Sequence, residues 1–319
     1  MIAVGADVGP IIGGSLKMQE ARRLIETYAS SALPILLVGA TGTGKELLAR
    51  HIHRLSGRSG QWVPVNCAAL PQHTAESLLF GHRRGAFSGA VESRRGYIRS
   101  AHLGTLFLDE LVELPTDVQP KLLRALDLGE VHPLSEDMPS QVDVRVVAAT
   151  QENVWEKLKV GEFRHDLFQR IAGVVIRLPP LKDRPEDILP IARHFASAHG
   201  LDLHIATEPV LLCYSWPGNA RELRQVIERS RALVTDRVIS AAALLRAIQL
   251  GIPDTSSEAV PIASRLREQD TLRTSLLRTL SSHEWSPTRA AAALRIHRAT
   301  LFRHLKQCGL SIRALRKSQ

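Results

Sequence analysis

Three stretches of this chain carry residue types suited to phosphate chemistry. "GATGTGKE" (39–46) follows the apolar run "PILLV" and opens a helical pattern. In that setting glycines free backbone N–H groups to face an anion, and the helix N-terminus adds positive potential. Gly39, Ala40, Thr41, Gly42, Thr43 and Gly44 are therefore the expected cradle of a nucleotide's phosphates, with Lys45 bridging the β- and γ-phosphates. Glu46 stands where such loops usually carry the Ser or Thr that helps to hold Mg²⁺. "TLFLDE" (105–110) ends an apolar strand in two carboxylates, at the edge where parallel sheets bind ligands. Acids at the end of a buried strand are costly unless used. Asp109 is accordingly assigned to Mg²⁺ coordination and Glu110 to activation of the attacking water, so the expected cofactors are ATP and Mg²⁺. "FRHDLFQR" offers Arg164 and Arg170, and "WPGNARELR" offers Arg221, as cations for charge developing on a γ-phosphate. By type alone these three do not differ from ordinary surface arginines.

A sheet must hold the loop and the acids at one edge. "PILLV" (34–38), "WVPV" (62–65), "TLFLD" (105–109), "VRVVAAT" (144–150) and "VVIRL" (174–178) are apolar on both alternating sets. A parallel sheet covered on both faces requires that pattern. Helical spacing fills the intervals, as in "DVQPKLLRALDLGE", where Pro120 is tolerable because it falls in the first turn. The fold class is α/β, with a nucleotide-binding subdomain over 1–181. "LPPLKDRPED" then breaks the alternation, and only helices are expected in a lid over 182–249, with Asn219 and Glu222 as a capping box. "GIPDTSSEAVP" lies in a linker, 250–263, and no internal repeat is evident.

Composition narrows the classes further. A 319-residue chain with 44% hydrophobic and 23% charged residues reads as a globular protein, here expected in the cytoplasm with no membrane partner. Cys67, Cys213 and Cys308 are far apart and suggest neither a disulfide framework nor a zinc site. From Ser264 onward there are twelve Lys or Arg against three acids, which accounts for the whole net charge of +9. Such a basic tail on a neutral body implies a polyanionic partner, DNA before others. "SPTRAAAALRIHRATLFRHLKQCGL" (286–310) reads as two helices around a short turn: Ser286 caps, Pro287 takes the first helical position, and alanines allow close crossing. In the second helix Arg298, Thr300, Arg303, His304 and Lys306 present polar groups, while Leu301, Phe302 and Leu305 pack inward, a recognition-helix pattern.

"GATGTGKE", "ESLLFGHRRGAFSGA", "GTLFLDE", "FRHDLFQRI", "LPPLKDRPEDI" and "WPGNARELR", in this order, resemble the central domain of bacterial enhancer-binding proteins, the AAA+ activators of sigma-54-dependent transcription. The resemblance spans roughly residues 10–248 and implies an AAA+ P-loop domain with a helical lid. It gives "GAFSGA" (Gly85, Ala86, Phe87, Ser88, Gly89, Ala90) a role: this loop responds to nucleotide state and presses Phe87 and Ser88 onto sigma-54. Ser88 replaces the family's usual Thr, and Arg83 and Arg84 replace a commoner Glu-Lys pair. Arg164 and Arg170 resemble arginine fingers that reach a neighbouring subunit's site, and Arg221 the sensor arginine of the lid. Asn66 matches the asparagine that holds the catalytic glutamate inactive; Gln151 replaces the usual sensor Asn, and Ala40 a common Glu.

The tail resembles the all-α Fis-type helix-turn-helix domain of the same family, over 264–319, with a dimerising helix at about 264–282. The resemblance implies a hexameric ring assembled from dimers, bound to an upstream activator sequence on DNA, that remodels the sigma-54 RNA polymerase holoenzyme at a promoter. About ten residues precede the ATPase domain, so control by a regulatory protein in trans is expected. The alternative is a DNA-binding regulator with a weak or degenerate ATPase, motivated by Ser88, Ala40 and Gln151.

Overall fold

The computed structural model describes residues 9–136, 138–251, 279–280, 282, 286–294 and 300–302. Two compact units divide the chain: residues 1–199 with 215–228, and residues 200–214 with 229–319.

The first unit is built on a five-stranded parallel sheet in the order β2-β3-β6-β1-β7. Its strands are β1 Ile35–Val38, β2 Trp62–Asn66, β3 Thr105–Asp109, β6 Arg145–Thr150 and β7 Val174–Arg177. All five coincide with the apolar runs. Burial follows position: β1 and β6 are buried at every residue, whereas β2 alternates at the sheet's edge. Pro64 is tolerated there because an edge strand has one unpaired side.

Alternation sorts the side chains into two cores. Leu36, Val38, Leu106, Leu108, Val146 and Ala148 join one cluster; Ile35, Leu37, Phe107, Val147 and Ala149 join the other. Helices α1 Leu16–Tyr28 and α2 Lys45–Leu55 cover the second cluster. The first is covered by α3 Gln72–Phe80, α4 Tyr97–Ser100, α5 Gln119–Leu128, α6 Val154–Lys159 and α7 His165–Ile171. Pro120 falls in the first turn of α5 as expected, and Gly129 ends that helix in the left-handed conformation, φ 67°.

One charge is built into this framework. Arg145 opens β6 only 3% exposed and donates to the carbonyls of Ala29 and Tyr28, the latter at 2.7 Å. These are the open carbonyls at the end of α1, where a cation satisfies both hydrogen bonding and the helix dipole. Burial holds its pKa below the usual arginine range. A two-stranded antiparallel hairpin, β4 Glu130–Val131 with β5 Ser140–Gln141, follows α5.

Helix α8 Pro185–Ser197 and the first part of α10 Asn219–Arg231 also belong to the first unit. In the second unit α9 Thr207–Cys213 and α11 Ala241–Gln249 pack together, with Val210, Leu211, Leu244 and Ile248 buried. The expectation of a purely helical lid is corrected here by a short parallel pair, β8 Asp202–Leu203 with β9 Val238–Ile239. Each strand has two residues, too few to show a period. Further along, Pro287–Ala293 is a helix with Pro287 in its first turn, but Ser286 makes no side-chain cap bond. Ala290, Ala291 and Leu301 are buried, whereas Phe302, expected to face inward, is 45% exposed.

Candidate active site

Strands β1 and β3 both pair with β6, one on each side, so the segments leaving their C-terminal ends face each other across the end of β6. The loop 39–44 leaves β1, the acids leave β3, and Gln151 leaves β6. This topology, rather than nearness in sequence, assembles the site.

The loop is tied to the lid segment 216–220. Asn219 Nδ2 donates to the Thr41 carbonyl at 2.9 Å, and the Ala220 N–H donates to the Gly42 carbonyl at 3.0 Å. Gly42 has φ +78°, and a Cβ there would lie 2.2 Å from the Gly218 carbonyl oxygen, so no other residue fits. Gly44, φ 104°, precedes the first residue of α2, which is Lys45. Lys45 Nζ donates to the Gly39 carbonyl at 2.7 Å and the Ala40 carbonyl at 3.2 Å. Burial lowers its pKa; the negative charges of Glu110 and Asp109 oppose that shift. Thr43 turns its hydroxyl to the Ala40 carbonyl, 2.8 Å, and its own carbonyl accepts from buried Arg184, 3.1 Å.

At the end of β3, Asp109 Oδ1 accepts the Glu110 N–H at 3.0 Å. Burial raises the Asp109 pKa, and that backbone hydrogen bond partly offsets the rise. Glu110 adopts φ +50°, left-handed backbone that costs a non-glycine residue about 1–2 kcal/mol. Such strain concentrates at functional positions. Its carboxylate accepts from Gln151 Nε2 at 3.3 Å. Asn66 pairs with Asp109 in the β2–β3 register, but its Oδ1 accepts the Ala68 N–H at 3.0 Å. In this structure the amide bonded to the glutamate is that of Gln151.

Lys45, Asp109, Glu110 and Arg221 line one cleft of about 490 Å³, together with residues 41–44, Glu46, Arg184 and Arg224. Ile11, Ile12, Met18, Leu48, Ile191 and Phe195 form its apolar part. Polar groups beside an apolar wall suit a nucleotide, with phosphates at the loop and a base against the aliphatic side chains. Among the described residues no cluster of three metal-ligating side chains occurs. One carboxylate, Asp109, beside the phosphate cradle fits Mg²⁺, which keeps waters and is held largely by phosphate oxygens. Glu46 spans back to Arg50 at 2.9 Å.

Arg164 and Arg170 do not line the cleft. Arg164 is exposed and pairs with Asp166 at 2.8 Å; Arg170 bonds Asp127 at 2.8 Å and the Leu126 carbonyl at 2.6 Å. Sequence reasoning missed Arg184, and it read Asn219 as a cap. Instead Asn219 has φ +54°, accepts the Leu181 N–H at 2.7 Å and donates to Thr41; Glu222 accepts the Gly218 N–H at 2.8 Å.

The hexapeptide 85–90 is closed by its own backbone. The Gly85 N–H donates to the Ala90 carbonyl at 2.8 Å, and the Ala90 N–H to the Phe87 carbonyl at 3.0 Å. Gly85, Ser88 and Gly89 are exposed, Phe87 is 42% exposed, and its ring lies 5.1 Å from that of His82. Ala86 is half-buried, and Ala90, expected on the contact surface, is buried, because it closes the base of the loop. Arg83 and Arg99 both approach Glu136, at 3.5 and 3.4 Å, beyond the β4 end of the hairpin. Of the five positions expected to meet DNA, Thr300 is half-buried; Arg298, Arg303, His304 and Lys306 lie outside the described residues. No helix among the described residues is long and apolar enough to cross a membrane.

Comparison with known proteins gives a consistent result. Residues 11–177 match the sigma-54 interaction domain family, and residues 182–260 match the lid domain of AAA+ ATPases. The nitric oxide reductase transcription regulator NorR1 of Cupriavidus necator is 41% identical over 331 residues, covering 95% of this chain and 64% of that protein. The formate hydrogenlyase transcriptional activator of Salmonella typhimurium is 40% identical over 320 residues, covering 98% of this chain and 46% of its own length. This chain therefore spans between 46% and 64% of those relatives. Among solved structures, NtrX from Brucella abortus in complex with ATP is similar with a TM-score of 0.72 and 30% identity, over 94% of this chain and 70% of that one. RuvB of Thermotoga maritima shares the fold at 17% identity and TM-score 0.56, over 95% of this chain and 90% of that one.

Proposed function

The chain belongs to the sigma-54 interaction domain family, and from that premise we propose that it is an ATP-hydrolysing transcriptional activator. It binds DNA upstream of a promoter, assembles as a hexameric ring from dimers, and uses hydrolysis to convert the closed complex of sigma-54 RNA polymerase into an open one. Lys45 and the amides of residues 41–44 hold the phosphates, and Arg221 approaches them from the lid. Asp109 would hold Mg²⁺, which when bound neutralises phosphate charge. Glu110 takes the proton of the attacking water, its carboxylate oriented by Gln151. Asn66 is the second amide at this edge of the sheet.

One observation carries the reading. Lys45, Asp109, Glu110 and Arg221 share a cleft, while Arg164 and Arg170 lie outside it. The two arginines that resemble fingers thus lie outside the cleft of their own chain, which is where fingers acting in trans would stand. Phe87 and Ser88, at the surface of a locally closed loop, are the groups offered to sigma-54. The basic tail holds the protein on DNA through Arg298, Thr300, Arg303, His304 and Lys306, with phosphate contacts setting affinity and base contacts setting the site.

The test is ATP turnover together with promoter opening. Purified chain, Mg-ATP and sigma-54 polymerase are expected to yield open complexes, and Glu110→Ala to lower turnover by about 10²–10⁴-fold, the contribution of a positioned general base. Equal, negligible turnover in parent and variant would leave a DNA-binding regulator without ATPase activity.

A further inference from the structure

Gln119 is fully buried at the first position of α5, where a polar side chain must find partners on every side. Its amide makes three hydrogen bonds, and they connect two segments that chemistry would use separately. Nε2 donates to the Leu114 carbonyl at 3.0 Å and to the Glu162 carbonyl at 3.1 Å; Oε1 accepts the Arg164 N–H at 2.9 Å. Leu114 closes the short turn Leu111–Glu113, which starts directly from Glu110. Glu162 and Arg164 flank fully buried Phe163 and lead into α7, so Arg164 is the residue preceding that helix.

A single side chain thus fastens the backbone of Arg164 to the turn that leaves Glu110. A second strap runs parallel to it: Lys157 donates to the Val112 carbonyl at 3.4 Å and pairs with Glu113 at 3.0 Å, while its own carbonyl accepts the N–H groups of Glu162 and Phe163. The Arg164 guanidinium is exposed and bound to Asp166, so the buried bracket fixes where its backbone emerges while the charged end is free to leave Asp166 for another partner. We propose that Gln119 is a positioning residue that couples the two half-sites of each subunit: it sets the finger offered to a neighbour from the turn that follows the subunit's own Glu110. The proposal rests on the ATPase reading above. In chemical terms Gln119 touches no nucleotide. It holds the Arg164 backbone in the geometry from which a guanidinium meets a γ-phosphate, where displacement of about 1 Å can cost up to about a hundredfold in rate.

Gln119→Met keeps the volume and removes all three bonds. The expected result is affinity for a non-hydrolysable ATP analogue within about twofold of the parent and turnover lowered about tenfold or more, a split that marks lost transition-state geometry rather than lost binding. Mixing with Lys45→Ala subunits, whose own clefts are disabled but whose Arg164 segment is intact, should restore turnover at the Gln119→Met clefts. The Arg164 amide, bonded to Gln119 in the parent, is expected to be protected there from hydrogen exchange and to exchange at least about tenfold faster in the variant. Should Gln119→Met fail to fold, Gln119→Glu replaces it: the carboxyl keeps the acceptor for the Arg164 N–H, so amide protection should survive better than turnover. Unchanged turnover, or a loss that mixing does not recover, would overturn the proposal, as would an Arg164 amide equally protected without the bracket. Absence of turnover in the parent chain is a different outcome: it would remove the ATPase reading itself, whatever the exchange experiment reports about the bracket.

Discussion

Two glycine-rich loops of six residues, 39–44 and 85–90, have opposite constructions. In the first, a Cβ on Gly39 would lie 2.9 Å from the Leu178 carbonyl oxygen, and one on Gly42 would lie 2.2 Å from that of Gly218. Carbonyls of this loop accept from Asn219, Ala220, Arg184 and Lys45, partners drawn from three other segments. In the second, a Cβ on Gly85 or Gly89 would meet nothing within 4 Å, and the backbone bonds close within residues 83–91. Glycine thus serves close approach in one loop and conformational freedom in the other. The first loop is over-determined, as a site that must meet phosphate oxygens within tenths of an ångström requires. The second is held at its base by its own backbone and open at its tip.

The largest expected effect breaks this contrast directly. Gly42→Ala forces a methyl into the Gly218 carbonyl at a positive φ, and is expected to lower stability by roughly 2–4 kcal/mol, the range of the severe backbone mechanisms. Gly85→Ala carries only the cost of its left-handed backbone, about 1 kcal/mol. Thermal denaturation of the two variants checks the comparison. Equal losses would mean that the two loops are built alike.

Next in size is Gln151→Ala. It releases the Glu110 carboxylate, bonded at 3.3 Å, without touching the phosphate loop. Turnover is expected to fall about tenfold with nucleotide affinity unchanged, since orientation of the base is needed only as the water attacks. Parallel measurement of kcat and of analogue binding separates the two quantities. A drop in affinity with kcat intact would put Gln151 on the nucleotide rather than on Glu110.

How far such details were legible in sequence depended on the span of the interaction. The five strands were readable because each run is apolar on both faces, and the loop at 39–44 because its glycines and Lys45 are contiguous. Lys45, Asp109 and Glu110 were found by type and then brought together by the sheet order, whereas Arg221 comes from α10 and was singled out only by the family resemblance. Interactions spanning many residues left no local trace. Asn219 reaches Thr41 across 178 positions, and Arg184 reaches Thr43 across 141, so the first read as a helix cap and the second as part of a domain boundary. Arg145, on α1's last carbonyls, carries no periodic signal because a charged residue opening an apolar run looks like a strand end. Gln119 was hidden inside a stretch read only for its helical spacing and for Pro120. Gln151 was seen, but residue type alone did not say that its amide would bond Glu110.

The smallest expected effect on the cleft sharpens the comparison most. Phe87 is 42% exposed, and the ring beside it is His82 at 5.1 Å, so Phe87→Ala gives up part of one aromatic contact, about 0.5–1.5 kcal/mol at most for a fully formed pair. None of the hydrogen bonds closing the loop uses its side chain; they run between the backbones of residues 83–91. Lys45, Asp109 and Glu110 keep every partner they have. ATP turnover should therefore stay within about twofold of the parent, an effect at the level of surface substitutions. Open-complex formation by sigma-54 polymerase should nevertheless be lost if, as proposed above, the exposed ring is the group that meets sigma-54. Measured side by side, preserved turnover with no opening separates a motor from its point of contact. Turnover that falls in step with opening would tie Phe87 to the cleft, and the two loops would have to be treated as one device.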